Sequence, residues 1–144
     1  MDTREHPLID LDDFTGLCYD LLGMIRESGQ VYDGILCPLK GGFYLSHFMS
    51  RHLGIPLFYI EISSYRGRTA GDFYIGQRPG SLKGRVLICD DIYDTGNTIK
   101  KIHEIFPAVD FHAACLVTKE KSAPAYYGLY VDKERWVDFF WEMI

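Results

Sequence analysis

The stretch Val86–Thr98, VLICDDIYDTGNT, decides how this chain folds. Val86 to Cys89 is a short apolar run of the kind that forms a strand buried on both faces. Asp90 and Asp91 then stand at its carboxyl end, and Asp94-Thr95-Gly96-Asn97-Thr98 opens a helix. The helical period continues through Ile99, Ile102, Ile105 and Phe106 and stops at Pro107. Free amides and small hydroxyl residues at a helix start attract anions, and Gly96 lets the backbone approach a phosphate closely. The two carboxylates would repel a bare phosphate, but they accept strongly from hydroxyl groups and suit a divalent cation. Either half alone is also what a capped helix start or a solvated strand end looks like. Three acids within five residues, between a buried strand and a Thr-Gly-Asn-Thr turn, are harder to explain that way and make this run the candidate ligand site. A ribose 5-phosphate, with Mg²⁺ nearby, answers both halves.

Working outward, the same alternation recurs. Leu11, Phe14, Leu17, Cys18, Leu21, Leu22 and Ile25 fall at helical spacing behind Asp10, a candidate N-cap, and the pattern ends at Gly29. Val31 to Leu36 reads as a strand ending at Cys37-Pro38. A second helix runs through Tyr44, Leu45, Phe48, Met49 and His52 to Gly54. Pro56 to Ile62 is a strand, and Ser63 to Gly84 is a polar segment carrying five glycines, expected to be mobile. Phe111 to Thr118 is the next strand. Strands alternating with helices predict an α/β fold, a mostly parallel sheet with helices on both faces and ligands at the strands' carboxyl ends.

Composition limits the rest. The chain has 144 residues, 47% apolar, 15% aromatic and 24% charged, with a formal net charge of -5. At a prior of roughly 150 residues per domain, it is expected to be one domain, residues 1–144. No run approaches the ~18 consecutive apolar residues of a membrane span, and the polar start lacks a signal peptide's apolar stretch. We therefore expect no membrane partner and a cytoplasmic location. The acidic balance argues against nucleic acid, whose non-specific affinity comes from neutralised phosphates. Cys18, Cys37, Cys89 and Cys115 each sit in an apolar run without zinc-site spacing and read as core residues. The five histidines are scattered, which makes a His-held metal improbable.

Asp90 through Thr98 resembles the phosphoribosyl-pyrophosphate signature of the type I phosphoribosyltransferases: an apolar strand, two acids, two further residues, Asp-Thr-Gly, any residue, then Thr. The likeness extends over about Val31 to Glu142 and is closest to the branch that uses hypoxanthine, guanine or xanthine. It implies a three-layer fold with a core at residues 31–120 and a small hood from residues 1–10 and 120–144. Leu39-Lys40-Gly41-Gly42 is similar to the loop that meets pyrophosphate, in which the peptide before Lys40 can be cis. Ser64-Tyr65, with Arg66 and Arg68 following, is similar to a mobile loop that closes over the sugar.

The resemblance implies further roles residue by residue. Asp94 accepts the proton from purine N7, Lys119 donates to O6, Trp136 stacks on the base and the Val137 main chain reads its edge. Thr95, Gly96, Asn97 and Thr98 hold the phosphate, and Asp90 and Asp91 the ribose. The metal is Mg²⁺, near Asp90 and Asp91, with Glu142 helping through water. Asp138 departs from the valine often found at its position, so the preferred base stays open. Phosphoribosyl pyrophosphate, a purine base, a purine mononucleotide and pyrophosphate are the implied ligands, and a homodimer or homotetramer the implied assembly. The runner-up is a non-catalytic regulator of the same fold that binds phosphoribosyl pyrophosphate or a nucleotide as a signal. A phospho-receiver domain also places acids after a strand, but Asp90-Asp91 comes too late in the chain for it.

Overall fold

The computed structural model describes residues 7–64 and 73–143, with the backbone but not the side chain of Ser64. The elements in chain order are β1 (Leu8–Ile9), α1 (Leu11–Ser28), β2 (Gly34–Leu39), α2 (Phe43–Leu53), β3 (Leu57–Ser64), β4 (Phe73–Ile75), β5 (Arg85–Tyr93), α3 (Asn97–Ile105), β6 (Asp110–Thr118), β7 (Tyr126–Tyr130) and β8 (Asp138–Phe139), followed by a 3-10 turn at Phe140–Met143.

Asp10 starts α1 as the sequence suggests. Its carboxylate accepts from the Asp13 amide at 2.8 Å and the Asp13 carboxylate accepts from the Asp10 amide at 3.2 Å, a reciprocal cap. Gly29 ends the helix in the left-handed region at φ 72.

Six strands pair in the order β4-β3-β2-β5-β6-β7, all parallel except the β3–β4 hairpin. Side-chain alternation along the central strands builds the layers. Ile35, Leu87, Cys89, Ala114 and Leu116 pack under α1 and α2, while Leu36, Val86, Ile88 and Phe111 pack under Ile102 of α3. The parallel α/β sheet with helices on both faces is the expected architecture, and all four cysteines are buried within it.

Several boundaries differ from the sequence reading. Strand β2 starts at Gly34 and continues through Pro38 to Leu39. Its ladder to β5 stops at Leu36, so the proline, which has no N–H, sits beyond that pairing and is held from the β3 side. Strand β5 runs on past Cys89 to Tyr93, because β6 is long enough to pair with it up to Thr118. The segment Ser63–Gly84, read as irregular, holds β4, whose Phe73 and Tyr74 pair with Ser64 and Ser63. Tyr126–Tyr130, assigned to the hood from sequence, is instead the outer strand of the sheet beside β6. The hood that remains is a parallel pair of β1 with β8, joining Leu8 to Asp138 and Ile9 to Phe139.

That hood is held down by aromatic rings. The Trp141 ring stacks on Phe139 at 4.7 Å and on Tyr44 of α2 at 4.8 Å, and meets Phe14 of α1 edge-on at 5.8 Å. The chain's end is thereby set over the carboxyl ends of β2, β5 and β6.

Candidate functional site

Two adjoining pockets lie at those strand ends. The first, about 260 Å³, runs along Asp90 to Ile99 with Phe73 at its side. Its floor is the turn between β5 and α3. Gly96 occupies the helix N-cap position at φ 83, and no side chain caps the helix. The Thr98 and Ile99 amides in the first turn of α3 are thus left for a ligand. The Thr95 hydroxyl accepts from the Asn97 amide at 3.3 Å and braces the turn.

The second pocket, about 350 Å³, is lined by Lys40, Gly41, Asp91, Ile92, Asp94, Lys119, Trp136, Val137, Phe139, Trp141 and Glu142. It shares Asp91, Ile92 and Asp94 with the first. Its walls come from the β2–α2 loop, the end of β5, the end of β6 and the hood. Lys119 is only 6% exposed, its Nζ donating to the Lys133 carbonyl at 3.2 Å and lying 5.8 Å from the Trp136 ring centre. Trp136 is 54% exposed and open to a partner, whereas Val137 is buried.

The Leu39-Lys40-Gly41-Gly42 loop crosses the end of β5 at close range, and its Leu39–Lys40 peptide is cis. A β-carbon on Gly42 would come within 2.4 Å of the Cys89 carbonyl oxygen, and one on Gly41 within 2.5 Å of Asp91 Oδ2. Ser46 of α2 donates to the same Cys89 carbonyl at 3.0 Å and fixes the distance between loop and strand. The glycine pair is what lets two backbones meet here.

Electrostatics mark the acids. Burial and the Asp91 charge push the Asp90 carboxyl well above the usual carboxylate range, and burial raises Asp91 as well. Each accepts a backbone amide, Asp91 N to Asp90 Oδ1 at 2.9 Å and Ile92 N to Asp91 Oδ1 at 2.7 Å. Neither is ion-paired to a Lys or Arg among the described residues. Two adjacent, partly buried carboxylates that no described Lys or Arg pairs with are a donor set that fits a hard divalent cation. Glu142 is raised by burial, opposed by the Phe139 amide it accepts at 3.2 Å. The expected set Asp90, Asp91 and Glu142 is not gathered into one group: Glu142 and Asp91 line the second pocket and Asp90 the first. Among the described residues no three His, Cys, Asp or Glu converge on an ion, so ligand oxygens and water would complete its shell.

Of the residues singled out from sequence, Lys40, Gly41, Asp91, Asp94, Lys119, Trp136, Val137 and Glu142 share one pocket. Asp90, Thr95, Gly96, Asn97 and Thr98 line its neighbour. Tyr65, Arg66 and Arg68 lie outside the described residues, as does the side chain of Ser64. Sequence reasoning missed Ile92, Phe139 and Trp141 as pocket walls and Tyr93 beneath the turn. Ile92 packs against the α1 and α2 side of the sheet with Leu87 and Cys89, a placement that strict alternation along β5 does not give.

The parallel sheet, the uncapped turn and the paired pockets define an α/β protein whose candidate ligand site lies at a sheet's carboxyl edge. The chain belongs to the phosphoribosyltransferase family, whose phosphoribosyl transferase domain matches residues 11–143. It is 27% identical over 139 residues to a xanthine-guanine phosphoribosyltransferase of Vibrio parahaemolyticus, covering 94% of this chain and 88% of that one. The crystal structure of a purine phosphoribosyltransferase from Pyrococcus horikoshii superimposes with a TM-score of 0.81 at 28% identity, over 96% of this chain and 94% of the other. A xanthine-guanine-hypoxanthine phosphoribosyltransferase from Helicobacter pylori shares the fold, with a TM-score of 0.77 at 22% identity over 96% and 93% of the two chains. Among the described residues no helix is long and apolar enough to cross a membrane.

Proposed function

We propose that the chain is a purine phosphoribosyltransferase of nucleotide salvage, acting in the cytoplasm as a homodimer or homotetramer. It transfers ribose 5-phosphate from 5-phosphoribosyl 1-pyrophosphate to a 6-oxopurine (hypoxanthine, guanine or xanthine) and releases pyrophosphate. The observation that carries this reading is the junction of the two pockets: an uncapped phosphate turn and an aromatic, lysine-bearing slot meet at Asp91, Ile92 and Asp94. The purine phosphoribosyltransferases among its relatives support the choice of base class.

The chemistry follows from that arrangement. The phosphate rests on the α3 amides and the ribose hydroxyls face Asp90 and Asp91. The base lies against Trp136 with its O6 toward Lys119 Nζ, an arrangement in which an amine donor favours an oxo group over the amino group of adenine. N9 of the base attacks C1 of the sugar, the bond from C1 to pyrophosphate breaks, and pyrophosphate leaves with the bonding pair. The proton on N7 passes to Asp94. Positive charge gathers on the sugar ring beside the two carboxylates, while Lys40 and the neighbouring amides face the negative leaving group. Asp90 and Asp91 would hold Mg²⁺, which when bound supplies neutralisation of pyrophosphate charge. The walls contributed by Trp136 and Trp141 keep water from the sugar cation.

The test is pyrophosphate release from phosphoribosyl pyrophosphate and Mg²⁺ with hypoxanthine, guanine, xanthine and adenine supplied one at a time. Release with a 6-oxopurine and none with adenine supports the reading. Tight binding without release for any base transfers it to a non-catalytic binder.

A further inference from the structure

Tyr93 is the last residue of β5 and its backbone is fixed on two sides. It pairs with Thr118 in the sheet, and its carbonyl accepts the Lys119 amide at 2.9 Å. Its ring reaches back under the turn that follows. A β-carbon built on Gly96 would lie 2.3 Å from the Tyr93 hydroxyl oxygen and 2.7 Å from Cζ, so the phenol tip rests against the Gly96 backbone where that residue adopts φ +83. The hydroxyl makes no hydrogen bond within the described residues. The ring also lines two cavities at once: the phosphate-turn pocket on one side, and on the other an open space of about 560 Å³ bounded by Lys100, His103 and Phe111. With the ring removed, the turn would have empty space behind it.

We propose that Tyr93 is a positioning residue for the ribosyl phosphate, a strut whose phenol holds the Gly96 turn so that the first amides of α3 converge on the phosphate. This rests on the function proposed above for the same site. The strut acts by contact. Its hydroxyl contributes length and its ring contributes stiffness, and neither touches the reacting atoms. Because the Tyr93 carbonyl also holds the Lys119 amide, one residue sets the spacing between the phosphate end and the base end of the site.

The experiment compares wild type with Tyr93→Phe and Tyr93→Ala. It measures binding of ribose 5-phosphate by calorimetry, and the KM values for phosphoribosyl pyrophosphate and for base. Losing one amide hydrogen bond to the charged phosphate costs roughly 10–100-fold, so Tyr93→Ala should weaken ribose 5-phosphate and raise the phosphoribosyl pyrophosphate KM by about that factor, with the base KM unchanged within ~2-fold. Tyr93→Phe keeps the ring and should recover most of that loss. Gly96→Ala should be less harmful in a Tyr93→Ala background than in wild type, because the phenol no longer blocks the new methyl. Unchanged ribose 5-phosphate binding in Tyr93→Ala, or equal loss toward phosphate and base, overturns the proposal. The calorimetric arm needs no turnover. A wild type that binds ribose 5-phosphate but transfers it to no base therefore refutes the transferase reading and leaves the strut to stand or fall separately.

Discussion

The carboxylate of Asp91 lies against the α-carbon of Gly41, close enough that a β-carbon there would fall 2.5 Å from Oδ2. This contact ties the loop after β2 to the acid at the end of β5, and it predicts that a single added methyl disturbs the site. Gly41→Ala should drive the Asp91 carboxylate aside, lowering turnover by ~10²-fold or more, while overpacking costs only about 1–3 kcal/mol of stability. Kinetics alongside a thermal melt separate the two. Near-normal turnover in a folded Gly41→Ala protein would mean that Asp91 has room the contact does not allow.

Asp91 itself is held against its own charge. Its folded-state proton affinity is raised by burial, so the native state binds the proton more tightly than the unfolded chain does. With the folded value above the unfolded one, Asp91's own contribution to metal-free stability is fully present below the ordinary carboxylate value of 3.8 and is lost as pH rises through the raised one. Asp91→Asn should therefore raise the melting temperature at neutral pH in EDTA and flatten its fall with pH, while reducing activity. Mg²⁺ should stabilise wild type more than this variant. A variant that melts lower than wild type at neutral pH would contradict the sign.

Asp94 stands exposed where the two pockets join, without the ladder partners that hold Asp90. Its removal should leave phosphate binding intact. Asp94→Asn is expected to lower single-turnover rates by roughly 10²–10⁴-fold, the usual worth of a general base, with little change in ribose 5-phosphate affinity. An unchanged rate would remove Asp94 from the proton transfer.

The two tryptophans divide function from stability. Trp136 is 54% exposed, so Trp136→Ala should leave the melting temperature nearly unchanged. Losing a stacking surface worth ~1–3 kcal/mol should raise the base KM by ~5–100-fold without altering that of phosphoribosyl pyrophosphate. Trp141 is stacked between Phe139 and Tyr44, and Trp141→Ala should cost about 3 kcal/mol or more by detaching the hood. The reverse pattern in a pair of melts would show the roles exchanged.

What was legible in the sequence was local. The Asp90–Thr98 run carried its own chemistry, because acids at a strand end and a glycine turn before a helix have the same meaning wherever the strand sits. The caps Asp10, Gly29 and Gly54 were readable for the same reason, each acting within a few residues. What was hidden depended on distant partners. Phe73–Ile75 is too short to announce a strand and becomes one only by pairing with β3. Tyr126–Tyr130 contains Gly128 and has no apolar alternation, yet Gly128 is required because a β-carbon there would meet Leu17 and the Leu116 carbonyl within 2.9 Å. Trp141 read as one aromatic among several in the tail. Only the pairing of Ile9 with Phe139, across nearly the whole chain, turns it toward Tyr44 and makes it a pocket wall.

The most direct test of the account is a crystal structure of the chain with a purine mononucleotide. The account places the phosphate on the amides of Thr95 to Thr98, the ribose hydroxyls at Asp90 and Asp91, and the purine against Trp136 with O6 on Lys119 Nζ. A nucleotide bound with its base outside that slot, or with its phosphate at Lys40 and Gly41 instead of the Gly96 turn, would contradict it.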